Sequence, residues 1–324
     1  MASKRLLKNM MAGTIFALTA TTAAAGGNFP SKPVHVIVPY PAGGIVDIVA
    51  RTITQQIGTD WHQSMIVEAK PGAESNIGTA AVARSKPDGY TWLITGPAVL
   101  ANPSFYKDPG WNTLRDFKCV GVAVWNQSVA VVPSALPAKT MKEFVAYAKA
   151  HPGSIFGDPG VGSSIDLTAR KLFQTAGIKM DFVGYKGQPP ALVDLIGNRV
   201  QIEIVSLILA LPHIKDGSLR PLAVFTHQRV KDLPDVPTIA EAGYPAAAYV
   251  PWYGIYVPAA TPDKVTARIH AAINKALTSP EVEKRLSKAD IPGSPMTLQA
   301  LAELMKSDTE KLGEVVKASG LKPQ

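Results

Sequence analysis

Cysteine is nearly absent from this chain: Cys119 is the only one in 324 residues. No intrachain disulfide can form, and a chain this long builds a sufficient core without one. Cys119 stands in the apolar setting Phe117-Lys118-Cys119-Val120-Gly121-Val122. No base or metal ligand accompanies it at a telling spacing, which points to a buried, inert thiol. The six histidines (His35, His62, His151, His213, His227 and His270) are dispersed without metal-ligand spacing. Neither a metal nor a cofactor is expected. No Gly-x-Ser-x-Gly occurs, so the sequence lacks the strand-to-helix turn that presents a nucleophilic serine. Charged residues make up 18% and are mixed in sign, and no basic block alternates with aromatics. Nucleic-acid binding is thereby disfavoured. No apolar run approaches the roughly 20 residues that a membrane-spanning helix needs.

What the sequence does have begins with Lys4, Arg5 and Lys8, a short apolar run from Met10 to Leu18, and Ala23-Ala24-Ala25. Together these form the three regions of a secretory signal peptide, with cleavage expected near Ala25. Residues 1–25 are set aside, which lowers the formal charge from +8 to +5. Export without disulfides fits a Gram-negative periplasm.

The mature part opens on its most informative stretch. Val34-His35-Val36-Ile37-Val38 reads as a short buried strand, and Ile45, Ile48, Val49, Ile53 and Ile57 recur at helical spacing. Between them lies Pro39-Tyr40-Pro41-Ala42-Gly43-Gly44, a turn with little side chain. Glycine lets a ligand approach the backbone, and the helix start that follows offers unpaired N–H groups to an anion.

Strands at Met65–Glu68 and Tyr90–Thr95 alternate with a helix over Ile77–Ser85, which implies a parallel, buried sheet. A strand at Val129–Val132 marks the crossing into a second unit. Its elements are helices at 140–151, 167–176 and 191–196 and strands at 154–157, 180–185, 201–206 and 221–225. A turn running into a short helix is expected at 233–243. Trp252–Val257 returns to the first unit, and helices at 263–277, 280–288 and 298–319 end the chain. No internal repeat is expected. The fold class is α/β, a two-lobed clamshell whose lobes are mostly parallel sheets flanked by helices. Residues 26–127 and 251–324 form lobe 1 and residues 128–250 form lobe 2. Ligands of such folds sit where the loops at the strand ends meet.

A series of short motifs then resembles one family. They are Pro39–Gly44 with Asp47 and Arg51, Lys70-Pro71-Gly72-Ala73, Pro87-Asp88-Gly89-Tyr90-Thr91, His151-Pro152-Gly153, Gly160-Val161-Gly162-Ser163-Ser164, Tyr185-Lys186-Gly187, Leu233-Pro234-Asp235-Val236-Pro237-Thr238, Glu241-Ala242-Gly243 and Pro258-Ala259-Ala260-Thr261-Pro262. Each is weak alone. In this order they resemble the solute-binding proteins of tripartite tricarboxylate transporters, the Bug or TctC family, over essentially all of the mature chain. The resemblance implies a type II periplasmic-binding fold and a carrier rather than an enzyme. It implies capture of a small mono- or dicarboxylate and delivery to integral-membrane permease subunits. A monomer is implied as well. One ligand carboxylate would be held by Tyr40, Ala42, Gly43 and Gly44 from lobe 1 and by Ser163 and Ser164 from lobe 2. Three departures stand out: Asp158 and Asp166 replace the family's usual residues, and the acidic residue common near Val205 is missing.

The remaining candidates carry two readings each. Ser163 and Ser164 serve as ligand hydroxyls, as helix N-caps, or as both. Asp47 meets the ligand, or it steadies the first helix turn and pairs with Arg51 at i+4. Asp158 meets a ligand donor, or it caps the turn before Pro159-Gly160. Asn76 and Gln188 read the ligand's far end, or serve ordinary turn chemistry. Gly162 belongs to the second Gly-rich loop. Trp252 and Tyr253 line the cleft or pack at the hinge, with hinge packing favoured. Two alternative functions remain: a ligand-loaded partner for a sensor kinase ectodomain, and a periplasmic hydrolase.

Overall fold

The computed structural model describes residues 29–73, 75–185, 187–287 and 295–318. The expected signal peptide and Lys186 of the Tyr185-Lys186-Gly187 motif lie outside the described residues. The first part of the chain runs β1 (Val34–Val38), α1 (Ile45–Trp61), β2 (Met65–Ala69), α2 (Asn76–Ala83), β3 (Thr91–Thr95), α3 (Ala98–Phe105), α4 (Thr113–Asp116) and β4 (Phe117–Trp125). It continues with β5 (Ser128–Pro133), α5 (Met141–Ala150), β6 (Ile155–Asp158), α6 (Ser164–Ala176), β7 (Asp181–Gly184), α7 (Gln188–Ile196), β8 (Glu203–Ser206), α8 (Leu207–Lys215) and β9 (Leu219–Phe225). After a 3₁₀ turn at Pro245–Ala247 come β10 (Trp252–Pro258), α9 (Asp263–Leu277), α10 (Pro280–Ser287) and α11 (Leu298–Ala318).

Two sheets of like order result. The first is β2-β1-β3-β10-β4, in which β10 alone runs antiparallel to its neighbours. In the second, β8-β5-β9 is joined to β6-β7 by a parallel bridge between Phe156 and Ile202, and β5 is the reversed strand. Both faces of each sheet are covered, which is why the strands read as near-continuous apolar runs. Val34, Val36 and Val38 pack with Ile53 and Ile57 of α1 and Ile269 and Ile273 of α9. On the opposite face Leu93 and Tyr256 meet Leu100 of α3 and Leu301, Met305 and Leu312 of α11. In the second sheet Val132 and Ile204 face Phe144, Leu172 and Phe173, whereas Val129, Val131 and Val205 face Leu192 and Leu195. Each such fully buried side chain contributes about 1.5–3 kcal/mol.

The structure corrects several sequence expectations. Helices α3 and α8 were not anticipated because each carries an internal proline, Pro103 and Pro212, which reads as a breaker. Strand β4, which contains Cys119, and the one-turn α4 were also not anticipated. No helix forms over 233–243. There Thr238 and Glu241 exchange capping hydrogen bonds of 2.8 and 3.1 Å around a single turn that does not propagate. Thr140 does cap α5, with its hydroxyl accepting from the Glu143 N–H at 3.1 Å. Cys119 is buried, and burial pushes its thiol up to about 12, which leaves it unreactive.

Candidate functional site

The β1–α1 and β6–α6 connections build the same object twice. Gly43-Gly44-Ile45-Val46-Asp47-Ile48-Val49-Ala50-Arg51 and Gly162-Ser163-Ser164-Ile165-Asp166-Leu167-Thr168-Ala169-Arg170 share Gly, Asp, Ala and Arg at matching positions. Gly43 and Gly162 have φ of 82° and 80°, in the left-handed region that glycine occupies without strain. The N–H of Gly43 donates to Asp47 Oδ2 at 3.0 Å, and that of Gly162 donates to Asp166 Oδ2 at 2.8 Å. Arg51 then donates from Nε to Asp47 Oδ2 at 2.9 Å. Arg170 Nε lies 2.7 Å from Asp166 Oδ1, an ion pair whose N–H is not aimed along the contact. The expectation of no internal repeat is thus corrected. The repeat is short, and its flanks differ: Pro39-Tyr40-Pro41-Ala42 in one loop, Asp158-Pro159-Gly160-Val161 in the other.

In both copies the inward-turned Asp fixes the loop and leaves the helix start facing outward. The N–H groups of Ile45 and Val46, and of Ser164 and Ile165, have no acceptor among the described residues. Both helix starts open on one cavity of about 720 Å³ between the two sheets. Tyr40, Gly43, Gly44, Gly162, Ser163, Ser164 and Gln188 line it, as does Tyr253. Trp252 instead is buried, its indole N–H donating to Asp308 at 2.8 Å. Aligned helix starts carry partial positive charge, so this cavity favours an anion although none of its described lining residues is charged.

Four expected site residues lie outside the cavity wall. Ala42 is exposed beside it. Asp47 is 4% exposed and engaged with Gly43 and Arg51, and the Arg51 guanidinium holds its carboxyl below the usual value. Asn76 is buried and accepts from the side-chain amide of Asn102 at 2.9 Å. Asp158 is buried and accepts from the Gly160 N–H at 2.9 Å, which makes it a cap of its own turn. For Asp47 and Asp158 the reason is that each loop must first satisfy its own backbone donors. Burial, reinforced by the adjacent Asp166 charge, pushes Asp158 up to about 6. The two copies therefore differ electrically: Asp47 is held down by its arginine, whereas burial moves Asp166 upward.

Hinge-side polar groups were not anticipated. Asn126 Oδ1 accepts from the Ser206 hydroxyl at 3.3 Å, and Gln188 Oε1 accepts from the Ser206 N–H at 3.2 Å. Asn126, Gln127 and Ser206 all line the cavity. Their position at strand ends flanking the crossing is the signal available in the sequence. The acidic residue expected to be missing near Val205 has a counterpart on the same strand: Glu203, 1% exposed.

A family profile described as "Tripartite tricarboxylate transporter family receptor" matches residues 49–321. The chain belongs to that family. It is 33% identical over 313 residues to a UPF0065 protein from the tcbD–tcbE intergenic region of a Pseudomonas species, covering 95% of this chain and 93% of that protein. Among solved structures, the periplasmic binding protein BugD shares 29% identity with a TM-score of 0.78, covering 91% of this chain and all of the other. A protein of R. palustris solved with adipate shares 28% identity with a TM-score of 0.80, over 92% of this chain and all of that one. This receptor-family chain is accordingly a periplasmic solute-binding protein with the two-lobed α/β fold, and not an enzyme.

Removing the Ser163 hydroxyl separates capping from ligand contact. Its Oγ accepts from the Asp166 N–H at 3.2 Å while lining the cavity. Ser163→Ala is expected to lower stability by about 1 kcal/mol through the lost cap. It should also weaken ligand binding by roughly 1.5–3 kcal/mol if one hydrogen bond to the ligand's carboxylate goes with it. Thermal unfolding with and without ligand checks both.

Proposed function

We propose that this protein captures a small organic carboxylate between lobe 1 (residues 26–127 and 251–324) and lobe 2 (residues 128–250). It then delivers the carboxylate to the permease subunits of a tripartite tricarboxylate-type transporter. Export by a signal peptide cleaved near Ala25 belongs to the same reading. The observation that carries it is the pair of matched helix starts, one from each sheet, opening on one cavity with free N–H groups. A carboxylate has two equivalent oxygens, and each cradle suits one of them. Contact with both is possible only when the lobes are close together, so the ligand shifts the open–closed equilibrium toward the closed form. The adipate bound by the R. palustris relative supports a carboxylate ligand here.

The test is thermal unfolding of the chain from Gly26 onward against dicarboxylates, hydroxy acids, tricarboxylates, aromatic acids, amino acids and nicotinate. A ligand at 100 times its dissociation constant adds about 2.7 kcal/mol, or roughly 4 °C for a chain of about 300 residues. A shift with any acid supports the reading; no shift across the whole panel overturns it.

A further inference from the structure

A second cavity, of about 580 Å³, runs along the flank of α6 and shares no lining residue with the one described above. We propose that it is a separate binding site for an amphipathic anion, an acidic head group on a short apolar chain.

The cavity lies between a helix of each sheet. Helix α6 packs on the second sheet through Leu172 and Phe173, and α11 packs on the first through Leu301, Met305 and Leu312. Residues 167, 168, 170, 171 and 174 of α6 line it, as do 311, 312, 314, 315 and 318 of α11. That spacing is one face of each helix. Segments 178–180 and 246–249 and Phe182 of β7 form the remaining walls. Leu167, Phe173, Ile178, Met180, Phe182 and Leu312 supply apolar surface, which shelters a hydrocarbon chain. The volume falls within the range of small-molecule sites.

The charges on the walls set the sign of the head group. Arg170, Lys171, Lys179 and Lys311 line the cavity against one acid, Glu314. Lys311 lies 3.7 Å from Asp308, whereas Lys171 and Lys179 have no ion-pair partner among the described residues. Arg170 is the most constrained of the four. Its side chain is 22% exposed, its guanidinium lies over the Phe182 ring at 4.2 Å from the centroid, and Nε faces Asp166. Its two terminal amino groups have no hydrogen-bond acceptor among the described residues, and they are not buried as Nε is. A guanidinium stacked on an aromatic ring, with its outer edge open, is a pre-organised fork for an acidic group. Phe182, which holds that guanidinium in place, also belongs to the apolar wall, so head and chain of one molecule can be met together. A cationic amphiphile would instead meet four like charges.

Calorimetry with octanoate tests the site, with octan-1-ol, octylammonium and acetate as matched probes. The chain from Gly26 onward is used with Gly43→Val, so that binding in the cleft does not contribute. Octanoate is expected to bind this protein, and each of the other three probes to bind at least about tenfold more weakly. Adding Gln174→Trp, at an exposed α6 position on the cavity wall, fills the space and is expected to weaken octanoate at least about tenfold. Charge changes at the rim give the second readout: Lys171→Glu with Lys179→Glu should weaken octanoate about fivefold or more, and Glu314→Lys should strengthen it about two- to fivefold. Removing residues 319–324, which follow Ala318 on the cavity wall, should leave the affinity unchanged. Absence of octanoate binding, binding that Gln174→Trp leaves intact, or equal binding of octan-1-ol overturns the inference. A gain of about tenfold on removing 319–324 also overturns it, since the cavity would then belong to the chain's own last residues.

Discussion

Gly43→Val is expected to abolish ligand binding while leaving the chain folded. At φ 82° a β-branched side chain is badly placed, so valine drives this peptide toward an extended or helical conformation. A Cβ at Gly43 would meet nothing within 4 Å, so the substitution acts through backbone conformation and through the cavity it lines, and not through a clash in the core. Two things then fail together. The Gly43 N–H leaves Asp47, and the Ile45 and Val46 N–H groups lose their aim into the cavity. Two charge-assisted hydrogen bonds of about 1.5–3 kcal/mol each are at stake, which is a loss of 100-fold or more. The strain itself costs about 1–2 kcal/mol, a fall in melting temperature of roughly 2–3 °C. Calorimetry with an acid that the parent protein binds reads the first effect, and thermal unfolding the second. Gly43→Asn supplies the control, since asparagine tolerates the left-handed region and should keep much of the binding. Normal binding by Gly43→Val would mean that the lobe 1 loop does not hold the ligand.

The same glycine shows how much of the site was legible in the sequence. A Pro/Gly turn between an apolar strand and an amphipathic helix has one physical use for its glycines, so Gly43, Gly44, Gly162 and the helix starts beside them could be placed before the fold was known. The sheets were legible for a similar reason, because buried parallel strands are short, apolar and punctuated by turns. Polar loop residues were less so. Asp47, Asn76 and Asp158 have the chemistry of ligand readers, yet in the fold they serve the backbone and neighbouring amides. Pattern alone does not say whether a loop carboxylate turns outward or inward. Pairing the two Gly-Asp-Arg spacings would have said so, since Asp four residues after a glycine and four before an arginine, found twice, describes a loop clamp. Helices α3 and α8 stayed hidden behind their prolines, and with them went the hinge-side wall of the cavity.

Glu203 carries the other large effect, in stability. Its carboxyl is 1% exposed, Oε1 has no hydrogen-bond partner among the described residues, and it lies over Gly157, where any Cβ would come within 2.7 Å of it. Burial first, and the Asp194 charge second, push it up to about 8. The folded value thus exceeds the unfolded one, so the folded state holds this proton more tightly. Its contribution is fully present below about pH 4.5 and is lost as pH rises through 8. At about 1.4 kcal/mol per unit, the whole difference amounts to several kcal/mol. Asp158 acts in the same direction but over a lower window, ending near pH 6. The acids held low by partners, such as Asp47, Asp60 and Glu68, act in the opposite direction and only at low pH, where protonation breaks their pairs. The interval from pH 6 to 9 therefore isolates Glu203 when the parent protein is compared with Glu203→Gln, a neutral side chain of nearly the same shape. Urea unfolding of the two should agree within about 1 kcal/mol at pH 5, diverge steadily between about pH 5 and 8 and run parallel above that, the variant being the more stable by several kcal/mol at pH 9. Curves parallel from about pH 5 upward would mean that Glu203 ionises freely in the folded protein, with water reaching the space beneath α7.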